Sequence, residues 1–198
     1  MNKKTVIIAV VGFVIALVVG IFVGYISTAN KNASNLNVSS ADDLTALVDK
    51  IYEGVSIEMP MVMTMPVDTA DADAVKSFTG LDSAADIEYA VVSEPMMSSQ
   101  AYSMVLVKVK DGVDANAVAK SMNENIDERK WICVTAEKIY TATSGNVICL
   151  VMSNPDTAKT VYESFKTIAG GIGEEYERTA ETPEMPEDML PGQDGLAY

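Results

Sequence analysis

The chain has no histidine, and its 198 residues include only two cysteines and one tryptophan. Without imidazole the usual general base near neutral pH is missing, and neither cysteine has the partner that would activate a thiol nucleophile. No serine sits in a nucleophile elbow or completes a triad, and no spacing singles out two carboxylates as acid and base. The sequence therefore carries no signature of catalysis and calls for no cofactor. Basic residues are scarce as well: 14 Lys and Arg stand against 28 Asp and Glu, a net charge of −14. A phosphate backbone calls for a basic patch, which removes nucleic acid from the candidate partners. Asp68, Asp71 and Asp73 lack the spacing and the distant glutamate of a calcium loop, and helix capping accounts for them.

Charge is wholly absent between Lys4 and Lys31, where TVIIAVVGFVIALVVGIFVGY fills Thr5–Tyr25. About 20 apolar residues cross a bilayer, so residues 5–26 are expected to form a transmembrane signal anchor. Ser27 and Ala29 fit the small positions of a cleavage site, and a signal peptide cleaved after Ala29 is the competing outcome. No cysteine follows the apolar run, which argues against lipid attachment. Lys3, Lys4 and the amino terminus outweigh Lys31, so residues 1–4 are expected in the cytoplasm and those from about Asn30 onward outside it, on a single-pass cell-membrane protein. Gly20 and Gly24 form a GxxxG through which two anchors could pair as a dimer.

Residues 27–39 read as a flexible Asn/Ser linker with N-x-S sequons at Asn32 and Asn37. At the other end, eight carboxylates and Arg178 between Glu174 and Tyr198 give that stretch a net charge of −7. With Pro183, Pro186 and Pro191 and few large apolar residues, 171–198 reads as an acidic disordered tail. Between them, 40–170 is expected to be one extracytoplasmic domain. Leu44, Leu47, Val48, Ile51 and Val55 follow helical spacing behind a Ser40 cap, predicting a helix over 41–54. Further helices are predicted over Ala70–Thr79, from Asp114 to about Asp127, and from Asn154-Pro155 to Gly170. Strands are predicted over 87–94 and 101–110, and on either side of a Ser144-Gly145-Asn146 turn. The result is an α+β, two-layer domain with a mostly antiparallel sheet of about four strands and helices packed on one face.

MPMVMTMP, residues 59–66, places a methionine at every second position. In extended backbone Met59, Met61, Met63 and Met65 would share one face, and thioethers suit Cu(I). Met is also a flexible apolar gap-filler, and Pro60 and Pro66 favour an edge strand or an arm laid on the core. Cys133 and Cys149 each follow an isoleucine in an expected strand; an exported chain permits a disulfide. The hairpin register sets Cys149 near Tyr140 and away from Cys133, so two small buried hydrophobes are the favoured reading and a disulfide the alternative.

KIYEGV, MPMVMTMPVD, AVVSEPMMSSQAYSMVLVKVKDG, RKWICV and SGNVICLVM together resemble a bacterial domain-of-unknown-function family, the one numbered 4358. The resemblance spans roughly Leu44 to Ile168, and it implies an exported or membrane-anchored protein of clostridial-type Gram-positive bacteria. It implies no activity and no catalytic residue. It does place EPMMSSQAYS in the recognisable core, making Glu94, Pro95, Met96, Met97, Ser98, Ser99 and Gln100 the candidate partner-binding loop. The function read from the sequence is a non-enzymatic binding or accessory module of the cell envelope, facing another protein or a wall component. The alternatives are a Cu(I) or small-ligand carrier on the Met59–Met65 face and a hydrolase using Glu94, Ser98 and Ser99.

Overall fold

The computed structural model describes residues 34–97 and 99–180. The apolar segment at 5–26 with Gly20 and Gly24, Ser98, and residues 181–198 lie outside the described residues. Among those described, no helix is long and apolar enough to cross a membrane.

Local chemistry sets each helix. The Ser40 side chain accepts from the Asp43 N–H, and Asp43 in turn accepts from the Ser39 N–H at 2.8 Å, which starts α1 at Ala41–Glu53. Asp71 caps α2 (Ala72–Thr79), and Gly80 ends it in the left-handed region at φ 76°. A Cβ at Gly80 would meet the Ile126 backbone nitrogen at 2.6 Å, so glycine also permits the chain to approach the end of α3. Asp114 caps α3 (Ala115–Asn125), and Asn154 with Pro155 at the first helical position opens α4 (Pro155–Ala169).

The strands are β1 (Val62–Pro66), β2 (Ile87–Pro95), β3 (Ser103–Val109), β4 (Lys138–Ser144), β5 (Val147–Ser153) and β6 (Glu175–Thr179). They form one antiparallel sheet in the order β1-β2-β3-β5-β4-β6. β3 and β4 run in the same direction, but β5 lies between them and α3 makes the crossover. The architecture is thus α+β with an antiparallel sheet, as the sequence predicts.

Its size and layering differ from the expectation. The sheet has six strands because a strand is added at each edge: β1 from the methionine row and β6 from residues assigned to the acidic tail. Arg178 fixes β6 by donating to the carbonyls of Asn123 and Ile126 (2.8 and 2.7 Å) and to Glu128 (2.9 Å). Helices cover both faces, not one. Leu44, Ile51 and Phe165 of α1 and α4 pack on Met104, Leu106 and Val151, while Val75, Val118 and Met122 of α2 and α3 pack on Val105, Ile148 and Leu150. Every residue of β3 and β5 is buried as a consequence. Each large apolar side chain so enclosed contributes about 1.5–3 kcal/mol.

The expected linker also shortens. The Asn35 N–H donates to the Ala169 carbonyl, and Leu36 and Val38 pack on the α1–α4 face. The β4–β5 hairpin turns at Gly145-Asn146, which sets Cys149 opposite Ala142 and not Tyr140.

Candidate functional site

The antiparallel register gives the sheet two distinct ends. At one, the chain enters the domain: Ser34 meets the β4–β5 turn, accepting a hydrogen bond from Ser144 Oγ at 2.9 Å. At the other lie the 54–61 connection, the β2–β3 loop, the 126–137 loop and the start of α4. Six large hydrophobic side chains are exposed among the described residues, and all six are at this second end. They are Ile57 in the connection, Met61 and Met63 around the start of β1, Met96 and Met97 in the β2–β3 loop, and Ile132. Their exposure runs from 37% at Ile57 to 80% at Met61. Burying such groups is favourable and leaving them in water is not, so their concentration makes this end the candidate interaction surface.

A polar frame holds this surface. Glu94, near the end of β2, pairs with Lys130 Nζ at 2.5 Å, with side chains 19% and 10% exposed. Glu94 Oε1 has no hydrogen-bond partner beyond that ion-pair contact. Lys130 Nζ also lies 5.1 Å from the Phe78 ring centre and 5.4 Å from that of Trp131. Burial pulls the Lys130 ammonium below its ordinary pKa, with Glu94 opposing that shift. The pair ties the 126–137 loop to β2. On the opposite face of the sheet, Tyr52 OH donates to Ser93 Oγ at 2.7 Å and lies 2.9 Å from Tyr102 OH, and Thr64 donates to the same Ser93. Burial raises both phenol pKa values, so the network is neutral and serves to position the strands.

Beside the rim opens a cavity of about 470 Å³, bounded by Glu58, Gln100, Tyr102, Glu137 and Asn154 among others. Its size is that of a small-ligand or side-chain pocket. Gln100 is the member of the predicted loop that lines it. Glu94 and Pro95 belong to β2 instead of to a loop, Met96, Met97 and Ser99 are exposed beside it, and Ser98 lies outside the described residues.

The methionine row divides. Met59 packs on the α1–α4 core, Met65 on the α2–α3 core, and only Met61 and Met63 are exposed, so the four thioethers share no face. The segment before Val62 is not strand, which is where the alternation fails. The disulfide does not form: both cysteines are free. Cys133 is exposed in the 126–137 loop at φ 64°, outside the strand expected for it, whereas Cys149 is enclosed in β5 and burial pushes its thiol well up. Among the described residues, no three His, Cys, Asp or Glu are grouped to hold a metal. Glu94, named for the hydrolase alternative, is paired with Lys130.

Comparisons with protein families, with curated proteins and with solved structures found no match for this chain. The signal in the sequence that could have located the rim was its set of apolar residues between strands: Met96-Met97 after Pro95, and Ile132 beside Trp131.

Proposed function

We propose that this is a membrane-tethered, extracytoplasmic domain of the cell envelope that works by binding a partner protein, without catalysis of its own. The observation that carries the reading is the gathering of Ile57, Met61, Met63, Met96, Met97 and Ile132 at the end of the sheet opposite Ser34. A domain held by an apolar segment preceding Ser34 presents that end away from its tether. Methionine suits such a surface because its unbranched thioether adapts to different partners. The resemblance to the domain-of-unknown-function family 4358 supports the exported setting, and the excess of positive charge before Thr5 supports the orientation.

The test uses the full-length chain in its native membranes, with a photo-crosslinking amino acid placed at Met96 or, as the control, at Asp111 in the turn at the opposite end. A protein adduct formed from position 96, absent from position 111 and lost in Met61→Ser/Met97→Ser supports the reading. Equal adducts from both positions, or none from position 96, refute it.

A further inference from the structure

The apolar rim tells that something docks, and the cavity beside it tells what charge the partner brings. Glu58 and Glu137 both line the cavity, one from the connection before β1 and one from the residue before β4. Both are exposed, and neither has an ion-pair partner among the described residues. The basic groups nearby are engaged elsewhere: Lys130 with Glu94, Lys138 with Glu177 and Arg178 with Glu128. Arg129 is exposed but does not line the cavity. The start of α4 lies at the wall, yet a helix amino terminus carries only about half a positive charge, and Asn154 already satisfies the Thr157 N–H. Two full carboxylates outweigh it. The lining adds neutral side chains that can accept hydrogen bonds, from Gln100, Thr135 and Ser153.

From this juxtaposition we infer that the partner presents a segment that is apolar and basic together, seating its apolar side chains on the methionine rim and one lysine or arginine in the cavity between Glu58 and Glu137. The inference rests on the binding reading above and specifies the chemistry of its partner. The rim supplies burial, and the paired carboxylates supply specificity and orientation, since a charge pair closed off from water discriminates more strongly than an exposed one. An acidic segment is rejected by the same two residues.

The probe is a fluorescein-labelled helical peptide of leucine and lysine, titrated by anisotropy against the full-length chain in nanodiscs of neutral lipid. Two companions test its parts: one with leucine replaced by serine at unchanged charge, the other with lysine replaced by glutamate. Glu58→Gln/Glu137→Gln should weaken the leucine–lysine peptide about tenfold or more, the loss of roughly 1.4 kcal/mol. Asp42→Asn/Asp111→Asn, which removes the same charge from exposed sites elsewhere, should leave its affinity within about twofold, because distant surface charges are screened. Both companion peptides should bind at least about tenfold more weakly than the first. Equal losses in the two double variants would reduce the effect to the net charge of −14 and overturn the inference. Undiminished binding of the serine peptide would overturn it too. If the peptide fails these tests while position 96 still cross-links a protein in the membrane, the binding reading stands and only the basic partner falls.

Discussion

Lys130→Met is the sharpest test of what holds the candidate binding end in shape. Methionine is of similar length but lacks the ammonium, with its contacts to the Phe78 and Trp131 rings and its hydrogen bonds to the Ser77 carbonyl and Ser103 Oγ, and leaves Glu94 Oε1 buried with no partner. Breaking a buried ion pair by removing one member costs about 3–5 kcal/mol, since the remaining charge stays in a poor solvent. Exposures of 10% and 19% admit some water to this pair, which places the cost near the lower figure, about 3 kcal/mol. For a domain of this size that lowers Tm by roughly 6–12 °C. The double variant Lys130→Met/Glu94→Gln leaves no uncompensated charge, so it should cost less than Lys130→Met alone, about 1–2 kcal/mol. Urea unfolding of the full-length chain in detergent reads both, followed by far-ultraviolet circular dichroism and by Trp131, the chain's single tryptophan. Additive costs, with the double variant worse than either single one, would show that solvent screens the pair and that it does not lock the 126–137 loop to β2.

Arg178→Ala should cost about 2–3 kcal/mol, because three hydrogen bonds joining β6 to the end of α3 disappear together. That cost depends on pH in a definite direction. Burial raises the Glu128 pKa, but its own backbone N–H and Arg178 outweigh burial and hold the carboxyl below the ordinary value of about 4.3. A depressed folded-state pKa means stability fully present above the ordinary value and lost as pH falls through the lowered one. The gap between wild type and Arg178→Ala should therefore narrow only below about pH 4, read as Tm against pH; a gap that is flat down to pH 2 would remove Glu128 from the account. Ellman's reagent should label one thiol in the native chain, the exposed Cys133, and a second only on unfolding, when Cys149 is released from β5. Rapid labelling of both in the native state would contradict the enclosure of β5.

The helices were legible because each carries its own boundary chemistry. Ser40, Asp71, Asp114 and Asn154 are caps by residue type, and each accepts the backbone N–H bonds that its place predicts. The layering was legible in principle as well. SMVLVKV and VICLVMS are near-continuous apolar runs without an alternating polar face, and a strand covered on one side only would alternate. The central strands thus announced helices on both faces. β6 was not legible, because EYERT looks like solvated tail until Arg178 finds the carbonyls of Asn123 and Ile126, some fifty residues away. The candidate site was half legible: Met96, Met97 and Gln100 of the expected loop stand at the candidate end, while Glu58, Lys130 and Glu137 come from distant segments brought there only by the sheet order.

The two edges bear on why the proposed binding surface is the end of the sheet and not a side. In β1, the Met96 N–H bonds the Met61 carbonyl and the Val67 N–H bonds the Ala90 carbonyl, so odd-numbered residues face β2 and even-numbered ones face outward. Within β1 the outward positions are Val62, Thr64 and Pro66, and Pro66 at its end has no N–H to offer an incoming strand. At the opposite edge β6 carries Glu175, Glu177 and Arg178, and charges on an edge oppose strand addition. Both edges are thereby blunted by different means, one by a missing donor and one by charge. At the methionine-rimmed end, by contrast, six large apolar side chains stand in water. That end, lying between two guarded edges, is the surface the proposed partner would use.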